Sequence, residues 1–261
     1  MSFLYGIPTT LVLAVALILG VGVACAGQIV VRKSFPETDF IRHNEVAGFI
    51  IAVVGVFYGV LLGFATIVSW EEYDASSDRV QQEAAAASNV WMLAPAFPSM
   101  TVRLQRDVQA YARQVVDDEW PAMHRGESSP SVDRTLDDLK DAIVRFSPAG
   151  ERESQAYASE VQSLQQLDTL RRYRLHDNET NFSWLLWVTL FIGAVTTVGF
   201  TYLFGMHNPH VLLVMTSAVT IVIVTLVVVI FEFDLPFRSD VGIRPEPFVR
   251  LTETLHTSRP Q

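Results

Sequence analysis

The chain has a single cysteine, Cys25, among 261 residues, so neither an intrachain disulfide nor a cysteine-built metal cluster can form. It lacks a Gly-x-x-x-x-Gly-Lys phosphate loop, a His-Glu-x-x-His helix and a Gly-x-Ser-x-Gly elbow. With them go the commonest ways of cradling a phosphate, holding zinc or mounting a nucleophile. Its histidines, His43, His124, His176, His207, His210 and His256, are scattered. His207 and His210, on either side of Asn208-Pro209, could bind a metal, but the expected reading is a polar turn. No enzyme, cofactor or metal site is expected from this inventory, and a net charge of −9 argues against a nucleic-acid partner. No alternating strand pattern is present either.

The most telling absence is of charge. Residues 1–31 contain no Asp, Glu, Lys or Arg, and four charge-free runs exceed twenty residues: Thr9 to Val31, Val46 to Trp70, Phe182 to Phe204 and Val211 to Phe231. Each is long enough to cross a hydrocarbon core about 30 Å thick at about 1.5 Å per residue. Because the core offers the backbone no water, such runs must be helical. The first has no basic n-region and outruns a signal-peptide h-region of about 7–15 residues, so it is expected to remain as a helix. The spacing therefore predicts an all-α integral membrane protein. Residues 1–70 carry transmembrane helices at about 9–31 and 46–70, residues 183–236 carry two more at about 182–204 and 211–231, and a tail follows over 237–261.

Between the second and third spans, residues 71–182 hold 20 acidic and 12 basic side chains, nearly all of the net charge. Apolar residues recur there at helical spacing: Leu104, Val108, Tyr111 and Val115; Val132, Leu136, Leu139, Ile143 and Phe146; Tyr157, Val161, Leu164, Leu167 and Leu170. Each set is one stripe of an amphipathic helix. Arg79, Arg171, Arg172, Arg174, Arg238, Arg244 and Arg250 lie on the same side of the membrane as this segment, against Arg32, Lys33 and Arg42 on the other. The positive-inside rule then places this acidic helical domain and both termini in the cytoplasm. Asp117, Asp118 and Glu119 are a local acidic run, expected to be a solvated face. The proline-rich tail after Pro236 could wrap a neighbouring subunit or be partly disordered.

The second span is the informative one. Gly55, Gly59 and Gly63 recur every four residues, the spacing at which small side chains let helices approach closely in lipid. Roughly opposite, Val53, Phe57, Val60, Leu61, Phe64 and Ile67 form a bulky apolar stripe that ends at Glu71 and Glu72. This stripe faces either lipid or the axis of an oligomer, where it would form a hydrophobic constriction with a carboxylate ring at its mouth. No charge lies at mid-depth in any span, and proton relays and coupled transporters usually need one.

Trp70-Glu71-Glu72-Tyr73, Glu119-Trp120-Pro121 in mid-domain and the Phe233-Asp234-Leu235-Pro236-Phe237 exit from the fourth span resemble bacterial membrane proteins that carry a bestrophin-like domain. A more distant resemblance reaches the bestrophins themselves, through Trp-x-x-Tyr at the same point. The resemblance implies a multi-pass protein of the bacterial inner membrane, a homo-oligomer of five subunits in contact with lipid, whose second helix lines an ion pore. Phe57 and Phe64 would lie near the apolar neck. The calcium-binding acidic cluster of animal bestrophins has no residue-by-residue counterpart here. Animal bestrophins pass anions, whereas the acidic domain favours monovalent cations. Two other functions fit the residues. One is a membrane-anchored scaffold or sensor with Trp91, Trp120 and Tyr157 as partner contacts. The other is a lipid-responsive protein with Arg171, Arg172, Arg174 and Arg238 on anionic lipid.

Overall fold

A computed structural model describes residues 8–35, 40–179, 182–206, 208–239 and 241–257. These form helices α1 (Thr9–Ser34), α2 (Asn44–Leu93), α3 (Thr101–Gln114), α4 (Trp120–His124), α5 (Pro130–Val144), α6 (Glu151–Glu179), α7 (Trp184–Thr201), α8 (Pro209–Phe233) and α9 (Glu246–Thr257), with no strand among the described residues. The chain divides into two compact units. One holds the described parts of Gly6–Glu72 and Phe182–Asp234, the other those of Tyr73–Asn181 and Leu235–Gln261. The 50-residue α2 contributes its first half to one and its second half to the other.

The first unit contains four helical segments long and apolar enough to cross a membrane, at the places the charge-free runs predict. Helix α1 overruns its charge-free run to include Arg32 and Lys33, where cations favour the negative end of the helix dipole. It lies antiparallel to α8: Thr9 donates to the Glu232 carboxylate at 3.1 Å, and Cys25 Sγ lies 3.4 Å from Ser217 Oγ. A Cβ on Gly20 would fall 2.8 Å from Val224, so the glycine sets this approach. Helices α2, α7 and α8 share a small core of Tyr58, Leu62, Ala65, Leu190, Ile223 and Ile230. Thr189 and Thr220 return their hydroxyls to the carbonyls of Leu185 and Thr216, each at 2.8 Å, the local bonding expected of hydroxyls in an apolar helix.

In the second unit all three predicted stripes are helical except at Phe146, which follows the end of α5, and their leucines and valines, Val161 apart, are buried. They pack with Val80, Ala84, Ala87 and Val90 of α2 into one core. Helices α3 and α4 are joined by one wide π turn, Val115–Glu119, in which the Trp120 amide bonds back to the Val115 carbonyl. Pro121 has no N–H to offer Asp117, and the helix accommodates this by widening. Gly126 ends α4 at φ +78°, a left-handed conformation that glycine adopts without steric cost.

The tail folds on its own chain. After a turn closed by the Ile243 amide on the Pro236 carbonyl at 2.7 Å, α9 buries Phe248, Leu251 and Leu255. Phe248 stacks edge-on against Tyr111 of α3, and Gln109 reaches the Leu255 carbonyl at 3.3 Å. Pro247 sits in the first turn of α9, where a missing N–H costs nothing.

Candidate pore helix

Within its own unit, the membrane half of α2 is packed along a single seam. Tyr58, Leu62, Ala65 and Ser69 are buried, and at about 100° per residue they share one face. Tyr58 anchors the seam: its hydroxyl donates to the Leu190 carbonyl at 3.1 Å. Its ring lies so close to Gly193 of α7 that a Cβ there would meet it at 2.3 Å.

The remaining circumference is open within the chain. The bulky stripe lies roughly opposite the seam. Phe57 is 73% exposed and Phe64 66%; Val53, Val60 and Ile67 are also exposed, and only Leu61, at the edge of the seam, is half-buried. Glu71 and Glu72, one turn beyond Ile67, are exposed as well. Gly55, Gly59 and Gly63 occupy a third face, about 90° from the seam, and a Cβ on any of them would meet nothing within 4 Å. The glycine that brings α7 against α2 is therefore Gly193, and not one of these three. Exposure alone does not require a protein partner, because lipid tails are as apolar as leucine.

The second unit holds a buried ionic cluster that sequence reasoning missed. The Arg174 guanidinium donates to Glu83 at 2.6 and 2.9 Å and to Glu119 at 2.6 Å. Arg171 clasps Glu119 at 2.6 and 3.2 Å and reaches Asp133 at 2.7 Å. Tyr111 donates to Glu83 at 2.6 Å, and Arg174 lies over the Trp120 ring at 5.2 Å. Five elements, α2, α3, the π turn, α5 and α6, are tied through these side chains. Glu83, Glu119 and Arg174 are fully buried. Burial by itself would raise the Glu119 carboxyl, but the Arg174 and Arg171 charges override it and hold it below the usual carboxylate range. Burial raises the Tyr111 phenol, reinforced by the Glu83 charge.

This cluster corrects three expectations. Asp117 and Asp118 are exposed as predicted, but Glu119 is core. Arg171 and Arg174 face carboxylates inside their unit, and Arg238 bonds Asn178 at 3.1 Å, so of the proposed lipid contacts only Arg172 is exposed. Trp120 is 4% exposed and donates to the Ile243 carbonyl at 3.2 Å, which makes it core and not a partner contact. Among the described residues no group of three or more His, Cys, Asp or Glu side chains gathers as a metal site would require. Glu119 already serves two guanidiniums and Asp118 accepts from Ser131, so this acidic run does not fit a calcium ion. His207 lies outside the described residues; Asn208 caps α8 by accepting from the His210 amide at 2.9 Å.

The architecture is that of an all-α integral membrane protein with four apolar helices and a helical unit inserted between the second and third. A family profile described as a bestrophin-like domain matches residues 18–248, and the chain belongs to that family. Two crystal structures of a bacterial bestrophin homologue from Klebsiella pneumoniae, each with a single substitution, share the fold at a TM-score of 0.66 and 13% identity. One match covers 92% of this chain and 98% of the other, the second 93% and 99%. A crystal structure described as that of a membrane protein matches at a TM-score of 0.64 and 13% identity, over 92% of this chain and 96% of the other. No curated protein sequence matches the chain.

Proposed function

We propose that the protein is a homo-oligomeric, bestrophin-like ion channel in which α2 lines the pore, assembled from five subunits and favouring monovalent cations. The observation that carries this reading is the single seam of α2. The helix packs on its own chain through one face, and roughly opposite lies an unbroken apolar stripe that ends in two carboxylates. Arranged around an axis, that stripe forms a constriction able to gate by dewetting, with Glu71 and Glu72 at its mouth. The free glycine face, to one side of the stripe, supplies a close contact with the next subunit. Family membership supports the same assignment, since bestrophins are channels. The acidic segment 71–182, placed in the cytoplasm with both termini by the basic residues around it, would repel anions from a vestibule and enrich cations. The scaffold alternative loses ground because Trp120 is buried and Trp91 and Tyr157 pack against the domain core.

The test is the reversal potential of the purified protein in a planar bilayer under a KCl gradient. Wild type is expected to pass a cation-selective current. The double change Glu71→Gln/Glu72→Gln should move the reversal potential toward zero, and Phe57→Ala/Phe64→Ala should raise the conductance about two-fold or more by widening an apolar neck. Silence of all three proteins, shown to be folded and inserted, would exclude the channel.

A further inference from the structure

In the membrane unit a groove of about 360 Å³ opens between the C-terminal end of α1 and the N-terminal end of α8. Its lining is chemically divided. Ile29, Leu212 and Leu213 supply an apolar wall, while Arg32 and Lys33 contribute two cations, and no carboxylate among the described residues takes part. Gln28 also lines it, is 2% exposed, and neither its amide nitrogen nor its oxygen has a hydrogen-bond partner among the described residues. A buried amide left without partners is rare in a folded protein, and here it sits one turn below two positive charges. The Lys33 ammonium makes no ion pair among the described residues. Arg32 donates to the Phe204 carbonyl and lies over the Phe40 ring at 4.2 Å. Pro209, at the first turn of the 25-residue α8, closes the groove, so the positive end of that helix dipole points the same way.

We propose that this groove is a binding site for an anionic phospholipid. Lys33, Arg32 and the Gln28 amide take the phosphate, and one acyl chain follows Ile29 and Leu213. The lipid is favoured over a soluble anion by the apolar wall and by the position of the groove at the end of two membrane-crossing helices, the depth at which headgroups lie. The site also gives a role to the Arg32-Lys33 pair, which runs against the positive-inside count.

Native mass spectrometry of the delipidated full-length protein tests this, using phosphatidylglycerol and phosphatidylcholine with identical acyl chains. Phosphatidylglycerol should be retained preferentially. Lys33→Gln should weaken its retention about five-fold, the usual effect of one basic residue near an anionic headgroup. Gln28→Leu should weaken it too while leaving the melting temperature unchanged or higher, because the buried amide contributes no internal bond. Arg152→Gln, on an exposed position of α6, should change nothing. Should Gln28→Leu fail to insert, the exposed Lys33→Gln carries the test alone. Equal retention of the two lipids, or phosphatidylglycerol retention unaffected by Lys33→Gln, overturns the proposal. So does inorganic phosphate binding at the same residues in the absence of lipid, which would assign the groove to a soluble anion.

Discussion

Glu160 is the residue whose surroundings least suit its charge. It is fully buried on α6, neither carboxylate oxygen has a partner among the described residues, and burial pushes its carboxyl up to about 8. A carboxyl raised above its unfolded value of 4.5 binds a proton more tightly in the folded state, so its contribution is complete below about 4.5 and is lost as pH rises through about 8. Glu160→Gln keeps the shape and removes the charge. Relative to wild type it should be close to neutral at pH 5 and stabilising by roughly 2–4 kcal/mol at pH 9, read as a melting-temperature difference in detergent. An equal difference at both pH values would show that Glu160 ionises freely in the fold. Glu119, held below the usual carboxylate range by its two arginines, does not titrate in this window. The Glu83–Arg174–Glu119–Arg171 cluster itself was half legible. Glu119 lies four residues after Val115, and Arg171 and Arg174 lie four and seven after Leu167, so each continues an apolar stripe. Charged side chains in core register on separate helices signal buried ion pairs, which are costly to break because each leaves a charge unpaired. Sequence alone does not say which of them meet, and Glu119 beside Asp117 and Asp118 looked like one solvated run.

At the scale of elements, two kinds of glycine on the membrane helices make opposite predictions. Gly193 lies under the Tyr58 ring, and a methyl there would have to displace the ring or the helix. Overpacking of this kind costs about 1–3 kcal/mol, so Gly193→Ala should lower the melting temperature of the protein in any assembly state. A Cβ on Gly59 would meet nothing within 4 Å among the described residues. Gly59→Leu should therefore leave the secondary structure intact but disrupt association, visible as a smaller particle by light scattering in detergent. If Gly59→Leu remains fully assembled, the small-residue face looks onto lipid. The spans and the three domain helices were legible because charge-free length and apolar periodicity follow directly from what each face must avoid. Three features were not. The π turn depends on where a missing Pro121 amide leaves its carbonyl. Helix α9 begins at the kind of proline that elsewhere ends a helix. Glycines that join two helices of one chain, Gly20 and Gly193, carry no mark in a single sequence to distinguish them from those that face outward.

For the molecule as a whole, the decisive quantity is the number of copies. A bundle in which α2 shows an apolar face away from its seam is stable as a monomer in lipid, since transfer from lipid to protein gains little from apolarity alone. A central pore, by contrast, requires a closed ring, and a ring requires a heterologous interface, one face of the subunit meeting a different face of the next. On the proposed reading the glycine face of α2, to one side of the axis-facing stripe, would supply one half of such a head-to-tail contact. The expected protein mass in a mild detergent is about five times the 29.1 kDa of one chain, unchanged on tenfold dilution. A particle of one or two chains, shown to be folded by its helical content, would leave no axis for α2 to line. The apolar stripe would then be a lipid-facing surface, and Glu71 and Glu72 ordinary charges where the helix leaves the membrane.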